Sequence, residues 1–480
     1  MSTIVAKESR CKWHTCRMVR RLPGSATFRW GCCMSKEQLH GLMHDALKAS
    51  DADQTEIVTM TSNSALTWYA ENIIHQNVAE HTAQVQARAV VGKKVGSAST
   101  TDCSPEGLAL VVEQASQAAR LMPDDPGFPG LPSPQPIAAG RVGGWVAATA
   151  ASQPGERVLA VKKVIKRAEH EGLRAAGTYQ VQNSELAVVS SMGVAAYQQY
   201  TVAALKAVVM GDDSSGYGLM SSADIADIDP EATGEQAVRT AVETRHPAEV
   251  GPGAFEVVLS PFAVEELMGM LAYLALSARS VEQHTCFLEG HEGEQIASPI
   301  VSLYDDGLDP AGMPVPFDFE GMPKRRVDFL TEGKGGNVVY DSYYAAKMGR
   351  ATTGHSLQQP NDIGPYPLNI FMGAGDSSEA DMVSHVERGI YVTRFWYGSP
   401  VEPRGAVVTG TTRDGTYLIE NGRKMYGIRN LRFTQGLVDM LAHTVEISRN
   451  RVVLASSFGI GAMVLPSIRA KGFQFTGVTR

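Results

Sequence analysis

His284, Cys286, Glu289, His291 and Glu292 form the densest group of metal-binding residue types in the sequence. Imidazole, thiolate and carboxylate are the groups zinc takes, and a catalytic zinc needs three protein ligands plus an open position. Gly290, Gly293 and the lack of a helical spacing favour an exposed polar loop, with a non-standard metal site at His284, Cys286, His291 and Glu292 as the alternative. His40 and His44 stand one helical turn apart, but Gly41 and Asp45 follow them where a zinc peptidase needs a glutamate base. A solvated helix face is expected there. His170-Glu171 has Arg174 and Ala175 where a second ligand would fall, and His291-Glu292 has Gln295 and Ile296. Cys11 and Cys16 with His14 lack a second matched pair.

Two acids and one histidine remain. Asp318 and Glu320 lie in Pro316-Phe-Asp-Phe-Glu-Gly321, and His355 follows Thr353-Gly354. Paired acids in a loop usually make turns or salt bridges, and a histidine after glycine usually serves structure. As functional groups, all three are candidates to line a substrate groove. The sequence has no Gly-x-Ser-x-Gly elbow, phosphate-binding Gly-x4-Gly-Lys-Ser/Thr loop or Cys-x2-Cys pair. Gly373-Ala-Gly375 lacks the third glycine of a dinucleotide fingerprint and is read as a turn leading to a helix cap.

The chain has 480 residues, 44% hydrophobic and 20% charged, with a net charge of −8. That length predicts two or three domains with sizeable cores. Residues 1–33 hold seven basic side chains, one acidic side chain and four of the six cysteines. They are read as a basic, disordered extension or as sequence upstream of a start at Met34. The acidic remainder disfavours nucleic acid as a partner. No apolar run reaches the length of a membrane span and no secretory pattern opens the chain, so a cytoplasmic location, which the sparse cysteines also favour, is expected.

The elements that must position these groups follow from periodicity. From Met34 a helix is predicted with Leu39, Leu42, Met43, Ala46 and Leu47 on one face, with further helices over 105–121, 156–171 and 230–244. Strands are expected at 56–60, 66–69 and 85–95, and a meander at 178–181, 186–190, 195–200 and 205–210. The proline-rich run from Met122 to Pro136 reads as a loop. A mixed α/β N-terminal domain at 34–250 is therefore expected, followed by a mostly antiparallel, β-rich C-terminal domain at 251–480. The fold class is α+β. The second domain opens with the strand Phe255-Glu-Val-Val-Leu-Ser260 and a helix over 261–278, apolar nearly all round except for Glu265 and Glu266. Hairpins are predicted at 327–340 and around Asn421-Gly422, a strand at 390–397 and a helix at 437–447.

Six segments in order carry a resemblance: Phe255-Glu-Val-Val-Leu-Ser-Pro261 with its helix, Pro316-Phe-Asp-Phe-Glu-Gly321, Ser342-Tyr-Tyr-Ala-Ala-Lys-Met-Gly349, Thr353-Gly-His355, Tyr417-Leu-Ile-Glu-Asn-Gly422 and Gly461-Ala-Met-Val-Leu-Pro466. Over about residues 35 to 477 the chain resembles the TldD/PmbA family, of the "modulator of DNA gyrase" type. The resemblance implies two related subunits joined into a peptidase that degrades unfolded or modified peptides. It also implies that zinc-bearing subunits carry His-Glu-x-x-x-His on the helix corresponding to 261–278, with a cysteine near the C-terminus. This chain has no histidine in that helix and no cysteine after Cys286. It therefore resembles the zinc-free PmbA (TldE) type of subunit, with no catalytic residue and no cofactor of its own. The expected partners are a zinc-bearing homologous subunit and an extended peptide, with zinc held by the former; the alternatives are an autonomous peptidase with its metal site at 284–292 and a non-enzymatic peptide-binding protein.

Overall fold

The computed structural model describes residues 35–137 and 144–479, so residues 1–33, with Cys11, His14 and Cys16, lie outside the described residues. The first domain is built from α1 (Lys36–Lys48), β1 (Gln54–Ala70), β2 (Ile73–Val91), β3 (Lys94–Thr100), α2 (Pro105–Leu121), α3 (Ala147–Ala150), α4 (Pro154–His170), β4 (Arg174–Ser190), β5 (Ala195–Met210), β6 (Ser215–Ser222) and α5 (Pro230–Glu243). Its six strands form one antiparallel sheet in the order β3-β2-β1-β4-β5-β6. Pro105 after the Ser104 cap starts α2, where the sequence reading placed a helix.

The meander pieces fuse. Residues 178–190 and 195–210 are two long paired strands rather than four short ones, because Asn183 and Thr201 stay in register through the polar middle of the sheet. Alternation along β4 then divides the domain: Ala187 and Val189 pack with α1 and α2, while Leu186 and Val188 join the core of the second domain.

The second domain follows with β7 (Gly253–Leu259), α6 (Pro261–Ala275), α7 (Ala278–Glu282), β8 (Leu303–Asp305), β9 (Val327–Thr331), β10 (Lys334–Gly335), α8 (Ser342–Lys347), β11 (Ile370–Met372), α9 (Glu379–Ser384), β12 (Arg388–Glu402), β13 (Val407–Glu420), β14 (Arg423–Gly427), β15 (Leu431–Gly436), α10 (Leu437–Ala442), β16 (Thr444–Ala455) and β17 (Ala462–Val478). Strands β7, β12, β13, β15 and β17 close on themselves, since β7 pairs with both β12 and β17. Phe395, Phe433 and Phe473, from three strands of this ring, meet at centroid distances of 4.5, 5.5 and 5.6 Å. Most pairings are antiparallel, but β7–β12 and β11–β17 are parallel.

Boundaries differ from the sequence reading in both domains: the strands expected at 56–60 and 66–69 are one strand, β1, and the strand expected over 85–95 is broken by the turn at 92–93 between β2 and β3. The buried helix ends at Ala275, and Ser277 caps the separate α7. The helix expected over 437–447 stops at Ala442, because Thr444–Ala455 pairs along β17. In the 327–340 hairpin the return strand is only Lys334–Gly335, while Val339 leaves it to bridge Ser277. The Asn421-Gly422 hairpin and the Ser378 cap after Gly375 form as read.

Candidate functional site

Helix α6 is the element on which family chemistry would be built, and its surroundings decide what it can do. Val264, Leu267, Met268 and Leu271 are fully buried against β12 and β17. Ser260 at its N-cap gives its hydroxyl to the Thr393 carbonyl and leaves the cap itself unbonded. A narrow strip stays partly open to solvent: Glu265, Glu266, Gly269, Met270 and Tyr273. The solvent-facing strip thus runs on beyond the two glutamates that the sequence singled out.

Glu266 Oε1 accepts from the Gly398 N–H at 3.2 Å. Beside it, Arg394 donates through Nε (2.7 Å) and Nη2 (2.6 Å) to Asp414 Oδ2 and lies over the Tyr217 ring at 4.4 Å. Ser215 Oγ donates to the other oxygen of Asp414 at 2.7 Å, which ties this corner to the first domain. Burial, and then the charge of Glu266, push the Glu265 carboxyl up to about 7 although Arg394 opposes them. Such a carboxyl can exchange a proton near neutrality. Adjacent glutamates point in directions about 100° apart on a helix and offer zinc no three-ligand face. Among the described residues no group of three or more His, Cys, Asp and Glu is placed to hold a metal. The donor set on α6 therefore does not fit zinc.

The 284–292 residues are not brought together as one group. His284 pairs with Glu289 at 2.9 Å and His291 with Glu294 at 2.7 Å, both at the surface. Cys286 is buried and donates to the Ala275 carbonyl, its thiol pushed up by burial. Glu292 bridges Gly335 through its backbone.

Asp318, Glu320 and His355 all lie inside the protein, at 2%, 3% and 1% exposure. They line no open groove. Asp318 Oδ1 accepts from the Glu320 and Met322 amides, both at 2.9 Å, and Oδ2 from the Ser356 amide at 2.8 Å. Glu320 Oε1 accepts from Arg88 at 3.0 Å and Oε2 from the Ser342 amide at 3.1 Å. His355 Nε2 meets Asp305 Oδ1 at 2.8 Å and Nδ1 meets Thr353 Oγ1 at 2.9 Å. Burial drives the imidazole below its usual pKa, and the nearby Lys324 adds to the effect. Burial works to raise Asp305, but Lys324 and His355 outweigh it and hold that carboxyl low. Gly321 closes the loop at φ +71°, where a Cβ would stand 2.4 Å from Val194 Cγ1, so only glycine lets the loop rest on the N-terminal sheet.

The sequence reading missed Arg88, Asp305, Lys324, Asp341 and Arg394. Arg88 alone carried a signal: a lone charge in the apolar run Ala87-Arg-Ala-Val-Val91 must find a buried partner.

Residues 252–477 match the PmbA/TldA metallopeptidase C-terminal domain, and residues 56–119 match PmbA/TldA metallopeptidase domain 1. The chain is 25% identical over 395 residues to metalloprotease PmbA of Escherichia coli, which covers 78% of this chain and 83% of that one. It is 28% identical over 192 residues to a metalloprotease TldD homolog of Haemophilus influenzae, covering 39% of each. The fold matches the crystal structure of TldE from Thermococcus kodakarensis with a TM-score of 0.81 at 23% identity, covering 92% of this chain and 100% of that one.

Proposed function

This chain belongs to the PmbA/TldD family, and we propose that within it the chain is the zinc-free subunit of a heteromeric metallopeptidase that degrades unfolded or modified peptides. The observation that carries the reading is the donor set of α6, two adjacent glutamates and no histidine, in a chain with no cysteine after Cys286. A glutamate held by the Gly398 amide beside a partly protonated one supplies neither a metal cradle nor an activated nucleophile. Zinc, held by the sister subunit, would supply the activated water. Helix α6 instead acts as scaffold, holding β12 and β17 of the closed ring in place.

Joint expression with a zinc-bearing homologue tests the reading. The isolated chain is expected to hold no stoichiometric zinc and to cleave no unfolded peptide. The mixture is expected to co-elute through an obligate-type interface of ~2,000 Å² or more and to hydrolyse peptide. A homologue that is fully active alone and never co-elutes with this chain overturns it, as does about one zinc per isolated chain together with cleavage.

A further inference from the structure

Between the two domains lies a cavity of about 810 Å³, within the size range of small-molecule sites. Its walls come from β3 and the end of α2 on one side, and from α7, α8 and the 359–364 loop on the other. One guanidinium group in the wall has unspent capacity. Arg279 is half-buried and its side chain makes no hydrogen bond or ion pair with any described residue. Arg88 is 7% exposed; its Nη2 is engaged by Glu56 and Glu320, and its Nε–H is buried out of reach of the cavity.

The unpaired Arg279 suits a carboxylate, which its planar fork can hold through two hydrogen bonds. Asp125, Asp341 and Asp362 also line the cavity and oppose any anion, so binding at Arg279 needs further contacts that a bare inorganic anion lacks. Asp125 and Asp341 are engaged, accepting from the Gly127 and Tyr344 amides at 2.9 and 2.8 Å. Phe128, Met122 and the edge-to-face pair Tyr343 and Tyr344, 5.4 Å between ring centroids, give the space an apolar side.

A molecule with a carboxylate and an apolar side chain meets both demands. We propose that this cavity receives the carboxyl end of a peptide, with the terminal carboxylate on Arg279 and the last side chain against Phe128, Tyr343 and Tyr344. The ligand class rests on the peptidase reading; the site rests on the residues. Recognition of a chain terminus tolerates any sequence upstream of it, as a degrader of varied peptides requires.

The test is isothermal titration of the full chain, without any partner, with N-acetyl-Ala-Ala-Tyr as the free acid and as its carboxamide. The acid is expected to bind at least about tenfold more tightly than the amide. Arg279→Gln is expected to bring the acid down to the level of the amide, and Arg279→Lys to fall between, with thermal midpoints unchanged. Equal binding of acid and amide overturns the proposal, as does full affinity in the Arg279→Gln protein or absence of binding at millimolar acid. No zinc and no second subunit enter the titration, so its failure leaves the subunit reading standing, and failure of co-elution leaves this result standing.

Discussion

Arg88 Nη2 stands 3.0 Å from Glu320 Oε1, a bond that joins the N-terminal sheet to a C-terminal loop 232 residues away. Glu56 Oε1 lies at the same 3.0 Å from that nitrogen, so one buried cation serves two buried carboxylates. Burial, against the pull of Arg88, pushes Glu56 up to about 7. The arrangement specifies how the domains dock more than it adds stability, since desolvating three charges consumes most of the attraction.

Arg88→Met is accordingly expected to destabilise the protein by about 3–5 kcal/mol, because both carboxylates lose their counter-charge while staying buried. Urea unfolding monitored by tryptophan fluorescence checks it. A loss under ~1 kcal/mol would mean that the acids are protonated or wetted in the folded state.

How much of this was legible in the sequence depended on distance along the chain. Helix α2 runs from Pro105 to Leu121 as read, because Ser104 caps it and its apolar period is local. The closed ring was not legible: β7 pairs with β12 and β17 more than 130 and 200 positions away, and no local pattern encodes such a pairing. The same holds for the site. Asp318 and Glu320 stood out as acids in a loop, but their burial depends on Arg88 and on the Ser356 amide, which the loop itself does not contain. Thr444–Ile447 reads as helix by composition and becomes strand because β17 offers it partners.

Leu267 on α6 is fully buried, whereas Tyr273 on the same helix is 52% exposed. Leu267→Ala is expected to cost about 2–5 kcal/mol through lost contacts and a cavity. Tyr273→Ala is expected to change stability by under ~1 kcal/mol. Equal effects in denaturant unfolding would contradict the assignment of α6 as a one-sided scaffold.

His284→Ala with His291→Ala should change neither stability nor metal content. Both histidines are exposed, 75% and 52% at the side chain, and each pairs with a different glutamate. Exposed pairs of this kind contribute roughly 0–1 kcal/mol. Thermal melts and elemental analysis of the double variant against the parent protein read the outcome; zinc lost from the variant but present in the parent would restore the loop as a metal site.

Glu265 gives a pH signature that can be isolated by one substitution. Its folded-state value is raised to about 7, first by burial and then by Glu266, while an unfolded glutamate titrates near ~4.3. Between those values the folded chain holds a proton that the unfolded chain has released, so this group makes stability fall as pH rises. Its favourable contribution is complete below about pH 4 and lost as pH climbs through about 7. Other buried groups titrate in the same window, His355 in the opposite sense, so the informative quantity is the difference between Glu265→Gln and the parent protein. No hydrogen bond to a described residue holds the Glu265 carboxylate, which makes the neutral amide a tolerated replacement. Relative to the parent, the Gln protein should gain stability from pH 5 up to about pH 7 and level off by pH 8 in denaturant unfolding. A gap that stays constant across that range would show that Glu265 is ionised throughout, held so by Arg394 and by water reaching the open strip of α6.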